Sequence, residues 1–229
     1  MATYNGEKYI ETQLRSILSQ LSHDDEVIIS DDSSIDSTVS RAAAINDPRI
    51  IILSEQKFRS PIFNFQNAIQ HAKGDYIFLS DQDDVWLDGR VNKMMLMLKD
   101  HDLVVSDCSI VDESLKVISA SYFRQVNARP GFLKNFLRTS SYIGCCMAFD
   151  RKIVELALPF PRTIPMHDFW IAMLAEWRFK IGFVYEPLVL YRRHGGNVSE
   201  TGGKSKNSLF TKIFLRIRTF RHLVIRILR

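Results

Sequence analysis

Residues 74–86 of the chain read GDYIFLSDQDDVW. An apolar run, 76–79, leads directly into three closely spaced carboxylates, those of Asp81, Asp83 and Asp84. A short run of bulky residues after a glycine is typical of a buried strand in an α/β sheet. The carboxylates then follow the carboxyl end of that strand, where open α/β sheets bind their ligands. The stretch therefore predicts an α/β fold with a ligand site at one sheet edge.

The three carboxylates repel one another unless a cation lies between them. A divalent cation shared with an anionic ligand, such as a diphosphate, removes the repulsion. Short acidic segments also occur as solvated loops that cap the next helix. From these residues alone, a metal site and an acidic capping loop both remain open.

Strands and helices alternate around this stretch with short loops. The predicted strands are 26–30, 49–53, 76–79, 103–106, 142–149, 183–186 and 188–191, with a hairpin at 109–118. The predicted helices are 10–21, 39–44, 63–72, 91–98, 130–137, 151–158 and a further one that begins near 168. This order predicts a Rossmann-like, mostly parallel central sheet with helices on both faces.

A second acidic pair, Asp31 and Asp32, follows the strand 26–30 and falls on the same predicted sheet edge. Its alternative role is to cap the next helix. Asn5 is the predicted cap of the first helix. Only Met1 and Ala2 precede the turn that contains Asn5, so the first strand is predicted to be a stub.

Composition narrows the class of protein. With 229 residues and 46% hydrophobic content, the chain is long enough for one well-buried domain. It shows neither a signal-peptide pattern nor an apolar run of the roughly 18 residues that a membrane span needs, which predicts a cytoplasmic protein. Cys108, Cys145 and Cys146 are too few for a disulfide framework or a zinc cluster, and are predicted to be small buried residues.

Charge is unevenly distributed. Eight Lys and Arg residues and no acid follow Glu200, so residues 1–200 hold the other 22 basic residues against all 26 acidic ones. On a helical wheel, one broad apolar face of this tail comprises Leu209, Phe210, Ile213, Phe214, Ile217, Phe220, Leu223, Val224, Ile227 and Leu228. Lys212, Arg218, Arg226 and Arg229 fall opposite.

A basic amphipathic helix of this kind can lie in the interface of an anionic membrane. Docking on the protein's own domain or on a second subunit is the alternative. Nucleic acid is not expected as a partner, because a stripe that binds a phosphate backbone does not need ten large apolar residues.

Five segments in this order and spacing carry a resemblance to a known family. They are TYNGEKYI (3–10), SDDSSIDST (30–38), LSDQDDVW (79–86), MHDFW (166–170) and YRRHGGNVS (191–199). Together they resemble the family 2 glycosyltransferases of the GT-A fold, most closely the bacterial rhamnosyltransferase-like members. The resemblance covers about 1–200, which implies a GT-A domain there and a separate tail helix in 201–229.

The resemblance also implies roles for residues at the acidic edge. Thr3 and Tyr4 would line a nucleotide pocket, while Asp32 would bind the pyrimidine and Asp31 would support the same loop. Asp81, Gln82 and Asp83 match the DxD motif, which binds the ribose and the metal-bridged diphosphate. Asp83 is the expected direct ligand of Mg²⁺ or Mn²⁺, with Asp84 assisting.

The later segments imply the remaining roles. Asp168 matches the position of a catalytic base, and Trp170, with His167, falls where a sugar of the acceptor or donor could bind. The residues alone favour plainer roles, Asp168 as a helix cap and His167 as a surface residue. Arg193 and His194 match a motif expected to close over the diphosphate. Gly144 and Cys145 are similar to the segment under the donor sugar.

The implied activity is inverting, metal-dependent transfer of a sugar from a nucleotide-sugar donor to a glycan or lipid-linked glycan acceptor in surface-polysaccharide synthesis. The expected donor is dTDP-rhamnose, with a UDP-hexose as the second choice, and the expected place is the inner face of the cell membrane. One alternative is a degenerate sugar-nucleotide binder, suggested by the short first strand. Another is a phosphatase with an aspartyl nucleophile, although in such enzymes the DxD loop follows the first strand.

Overall fold

The computed structural model describes residues 1–195 and 209–228. The amino-terminal part forms a three-stranded parallel sheet in the order β1-β2-β3. Its strands are β1 (Ala2–Thr3), β2 (Val27–Asp31) and β3 (Ile50–Leu53), and its helices are α1 (Ile10–Leu18), α2 (Thr38–Ala44) and α3 (Pro61–His71).

A six-stranded mixed sheet follows in the order β4-β8-β6-β9-β5, with β7 paired to β6. Its strands are β4 (Tyr76–Phe78), β5 (Val85–Trp86), β6 (Leu103–Val111), β7 (Val117–Ser119), β8 (Met147–Asp150) and β9 (Ile181–Arg192). The accompanying helices are α4 (Arg90–Leu98), α5 (Tyr122–Val126), α6 (Phe132–Leu137), α7 (Arg151–Ala157), α8 (His167–Arg178) and α9 (Leu209–Ile227). In this sheet β6 and β9 pair in parallel and the other pairs are antiparallel. The predicted α/β class is confirmed.

The core lies where helices pack on β6, the most deeply buried strand. Every residue of Leu103–Val111 is buried, which matches its unbroken apolar beginning at 103–105. Helix α1 buries Ile10, Leu14 and Ile17 at helical spacing.

Three local predictions need correction. Asn5 does not cap α1: it adopts a left-handed backbone with φ of 48°, and its Oδ1 accepts from the Ile35 N–H. The predicted strand 142–149 begins with a 3₁₀ turn at Gly144–Cys146, because the Gly144 N–H is taken by a side chain of α8. The two strands predicted at 183–191 form the single strand β9. The predicted boundary at residue 200, Gly196 and Arg229 lie outside the described residues.

The amino terminus is buried at the junction of the two sheets. Met1 is 8% exposed, and its amino group donates to Ile28 O at 2.7 Å. A cavity of about 630 Å³ opens beside it, lined by α1, β2, α3 and β4. Burial lowers the pKa of this amino group from 8.0 to about 5.

This buried amino group should make stability depend on pH. Between pH 8 and 5 the unfolded chain binds a proton that the folded chain excludes, so this group's contribution destabilises the fold as the pH falls. At about 1.4 kcal/mol per pH unit, the change reaches up to about 4 kcal/mol across that window. Urea unfolding of the protein with Met1 free or Nα-acetylated, at pH 8 and 5.5, measures it. The acetylated form should gain relative stability at the lower pH, and a constant difference between the two forms would contradict the prediction.

Candidate active site

The acidic loop after β4 lies near the start of α8. Burial raises the pKa of Asp81 to about 8, and the nearby carboxylates of Asp83 and Asp168 add to the effect. Asp81 and Asp168 come from segments far apart in the chain, so tertiary packing has gathered carboxylates here. Such a cluster with perturbed pKa values is typical of a functional site.

The donor atoms of Asp81, Asp84 and Cys145 all lie within 4.8 Å of one another. Asp84 is buried; its Oδ1 accepts from the Arg192 N–H, whereas its Oδ2 has no hydrogen-bond partner in the described part of the chain. Burial raises the pKa of Asp84, and the carboxylates of Asp83 and Asp81 raise it further. Two such carboxylates with an unpaired oxygen fit a hard divalent cation.

Cys145 fits that cation less well. Mg²⁺ and Mn²⁺ prefer oxygen ligands to sulfur. A hydrogen bond with Cys146, together with burial, raises the pKa of the Cys145 thiol, which disfavours the thiolate that a metal would bind. All three cysteines are free and buried.

Asp83 contacts the late loop. Its Oδ2 lies 2.7 Å from His194 Nε2, and both side chains are largely buried. Asp83 and His194, which the resemblance assigns to the site, are therefore neighbours. The side-chain oxygens that lie close enough together to share one divalent cation are those of Asp81 and Asp84. Arg193 is half-buried, and its backbone N–H donates to Val111 O.

Arg192 holds this arrangement together, and sequence reasoning missed it in favour of its two neighbours. Its Nε–H donates to Asp83 O at 2.7 Å, its Nη1 to Glu113 O, and its backbone N–H to Asp84 Oδ1. The guanidinium lies over the Tyr9 ring, 4.8 Å from its centroid. No local sequence signal distinguishes it from its neighbours, because Tyr191 and Arg192 are both buried and this end of β9 does not alternate.

Asp168 lies in the first turn of α8 with both carboxylate oxygens fixed by backbone. Its Oδ2 accepts from the Gly144 N–H at 3.0 Å and its Oδ1 from the Phe169 N–H at 2.6 Å. The cap position of the helix is Met166, so Asp168 is not its cap. A Cβ at residue 144 would lie 3.3 Å from Asp168 Cβ, so Gly144 permits this close approach. The result is a half-buried carboxylate with a defined orientation.

The two predicted sugar-binding residues of this segment lie in the core. Trp170 is fully buried and its indole N–H donates to Ala157 O, so the ring cannot stack on a sugar. His167 is also buried rather than at the surface, and it stacks on Phe65 with ring centroids 3.9 Å apart. Burial lowers the pKa of His167 to about 4. These two rings are inaccessible because α8 is packed on nearly all sides, with every residue from 170 to 175 buried.

Gln82 joins the acidic loop to the end of β1. Its Oε1 accepts from the Tyr4 N–H at 2.8 Å and its Nε2–H donates to Tyr4 O at 3.0 Å. Gly6 makes room for this amide, because a Cβ at that residue would lie 2.3 Å from Gln82 Oε1. The Tyr4 side chain itself is 57% exposed. This clamp was not predicted.

Thr3, Asp31 and Asp32 stabilise the neighbouring loop. The buried Asp31 carboxylate accepts from Thr3 Oγ1 and from Ser34, and Asp32 accepts from backbone N–H groups of residues 58 and 60. Helix α2 begins after Ser37, so neither aspartate caps it. The pair does lie at the sheet edge that carries Tyr4 and the acidic loop.

An α/β sheet with a cluster of carboxylates at its edge fits a glycosyltransferase that acts on nucleotide sugars, and the family of the chain assigns it to that class. Residues 1–157 match the family described as Glycosyl transferase family 2, and the chain belongs to that family. Membership removes the phosphatase alternative.

Relatives agree with this class. A dTDP-rhamnosyl transferase, RfbG, of Shigella flexneri is 29% identical over 216 residues, 86% of this chain and 72% of the relative. WfaP of Escherichia coli, a UDP-Glc:alpha-D-GlcNAc-diphosphoundecaprenol beta-1,3-glucosyltransferase, is 31% identical over 203 residues, 87% of this chain and 78% of the relative.

Solved structures show the same GT-A fold. Staphylococcus aureus TarS in complex with UDP-GlcNAc matches with a TM-score of 0.73 and 17% identity, over 100% of this chain and 65% of that one. A mannosyltransferase of Pyrobaculum calidifontis in complex with GDP-Man and Mn²⁺ matches with a TM-score of 0.64 and 20% identity, over 98% and 66%. The chain thus spans about two thirds of the length of these two proteins.

Proposed function

We propose that the protein is an inverting, metal-dependent glycosyltransferase that moves a sugar from a nucleotide-sugar donor onto a glycan acceptor of surface-polysaccharide synthesis. The observation that carries the proposal is the position of Asp168: its carboxylate is fixed by two backbone N–H groups beside an acidic loop that fits a divalent cation.

The departing diphosphate develops negative charge during transfer. A Mg²⁺ or Mn²⁺ held by Asp81 and Asp84, with Asp83 as the ligand that the motif suggests, would act as a Lewis acid on that leaving group. The mannosyltransferase of Pyrobaculum calidifontis, which was solved with GDP-Man and Mn²⁺, supports this choice of ion. Arg193 and His194 are suited to donate hydrogen bonds to the same phosphates.

The acceptor hydroxyl must lose its proton as it attacks the anomeric carbon. Asp168 is the proposed base, since a carboxylate is suited to take that proton. A single displacement of this kind inverts the anomeric centre, by the same logic as in inverting glycosidases. We propose that the exposed ring of Tyr4 contacts the nucleotide base and that Asp32 binds the pyrimidine.

The names of the relatives support a donor and an acceptor. The Shigella protein uses a dTDP-rhamnosyl donor by name, and the Escherichia coli protein uses UDP-Glc with a diphosphoundecaprenol acceptor. We propose dTDP-rhamnose first and a UDP-hexose second, with a lipid-linked acceptor at the cytoplasmic face of the membrane. Within 1–195 and 209–228, no helix has the length and apolarity to cross a bilayer.

A sugar-nucleotide binder that does not catalyse transfer is the second candidate for the same site. Release of nucleotide from a panel of UDP-, dTDP- and GDP-sugars, with a glycan acceptor and with Mn²⁺ or EDTA, separates the two. The transferase releases one nucleotide in a metal-dependent reaction and inverts the anomeric configuration of the product by NMR. Metal-dependent binding without turnover would indicate the binder, and absence of both would overturn the proposal.

A further inference from the structure

Helix α9 docks on the domain through a side that combines polar residues with Leu223, one of the residues assigned to the apolar face. Arg226 donates to Leu156 O, Leu158 O and Pro159 O at 2.6–2.9 Å, and the Arg218 guanidinium donates to Thr163 O. Thr219 and Leu223, on the same side, are fully buried. Two of the arginines expected to face away from the apolar side therefore face the protein, and docking on the chain's own domain, one of the alternatives from the sequence, is what the structure shows.

This docking leaves large apolar side chains uncovered. Phe214 and Ile217 are 50% and 63% exposed, and the adjacent α6 adds Leu133 and Leu137, at 71% and 57%. Aromatic contacts connect the helices, because the Phe220 ring lies 6.2 Å from Trp177 of α8. We call this surface the α6–α9 patch and define it by Leu133, Leu137, Trp177, Phe214, Ile217 and Phe220. An exposed apolar patch built from three helices indicates an interaction surface.

We propose that the α6–α9 patch inserts into the interface of an anionic membrane and seats the enzyme on the bilayer that carries its acceptor. The claim that this bilayer carries the acceptor rests on the proposed function. An apolar surface with a basic rim is the pattern of peripheral membrane binding.

The charges around the patch favour a bilayer over a second copy of the chain. Residues 201–229 contain eight basic residues and no acid. Arg138 and Arg221 are exposed at the patch, and Arg216 donates to Arg138 O where α9 meets the end of α6. Two copies meeting through this surface would bring like charges together, whereas anionic headgroups complement them.

The docking geometry also indicates which side chains provide the binding energy. Arg218 and Arg226 already donate to backbone carbonyls, so apolar insertion by residues such as Phe214 and Ile217 should dominate. This differs from a helix that binds membranes mainly through its arginines.

Flotation with phosphatidylcholine vesicles containing phosphatidylglycerol tests the proposal. The double variant Phe214→Ser/Ile217→Ser should bind at least about tenfold more weakly than wild type. The matched control is Val117→Ser/Ile118→Ser, which removes two equally exposed apolar residues from β7 and should bind like wild type. Equal binding by the two double variants would overturn the proposal. A dimer by light scattering that the patch variant dissociates, with no vesicle binding by wild type, would assign the surface to a second copy instead.

A further readout separates this proposal from the proposed function. Metal-dependent nucleotide release without vesicles should be the same in wild type and in the patch variant, because the patch contains none of the site residues. Vesicle binding without any nucleotide release would support the patch and contradict the transferase. Unchanged thermal unfolding of both double variants shows that the changes did not disrupt the fold.

Discussion

Asp168→Asn should lower kcat by about 10²- to 10⁴-fold while leaving nucleotide affinity nearly unchanged. The substitution keeps the shape of the side chain, and Asn can still accept one of the two backbone N–H bonds from Gly144 and Phe169. It removes the group that we propose takes the proton of the acceptor hydroxyl. Steady-state transfer with the identified donor, together with calorimetric titration of the nucleotide and Mn²⁺, measures both quantities.

Asp150→Asn is the matched control for this experiment. Asp150 also accepts a backbone N–H at a helix start, from Lys152, but it lies at the far end of β8. Its variant should keep kcat within about twofold of wild type, as surface substitutions away from a site usually have small effects. If Asp168→Asn retained wild-type kcat, or lost nucleotide binding to the same degree as turnover, Asp168 would not be the base.

Arg192→Gln should lower both stability and activity. The change removes a buried charge that donates to Asp83 O and Glu113 O, and it leaves those carbonyls with fewer donors. Losing charged hydrogen bonds of this kind costs about 2–4 kcal/mol of unfolding free energy. Turnover should fall as well, because the same arginine orients the acidic loop. Urea unfolding and the transfer assay on one preparation measure the two effects.

The variant Arg193→Gln tests whether the effect of Arg192→Gln comes from the contacts of Arg192 or from the loss of one positive charge in the loop. It removes an equal charge from the same loop, yet the side chain is less buried than that of Arg192. We expect a smaller loss of stability, with weaker donor binding if Arg193 contacts the diphosphate. Equal destabilisation by the two variants would show that the loop depends on net charge rather than on the contacts of Arg192.

The parts of the site that sequence alone could predict depend on local rules. An apolar run followed by Asp81, Asp83 and Asp84 places carboxylates at a strand end whatever the rest of the chain does. The order of strands and helices then predicts an α/β fold. Asp168 was identified as a site residue only through the family motif. It lies near this edge because helix α8 packs there.

The parts that sequence missed depend on which side of an element is covered. Trp170 and His167 lie in a helix that is buried on almost every side. Their place in the MHDFW segment therefore did not show that their side chains are buried. Arg192 and Arg193 are adjacent, and only the packing of β9 shows which of them turns inward. Helix α9 docks through a side that carries Arg218 and Arg226 as well as Leu223, and Arg226 donates there to backbone carbonyls of the Pro-rich turn.

The clamp between Gln82 and Tyr4 has a consequence for how such sequences diversify. A side chain at residue 6 would displace the amide of Gln82, because that amide occupies the space. A shorter residue at 82 would free the space and at the same time release the backbone of Tyr4. The two positions therefore form a coupled pair, and exchanges at one should accompany exchanges at the other during evolution. Recombining the amino-terminal turn of one relative with the acidic loop of another should succeed when both members of this pair come from the same parent.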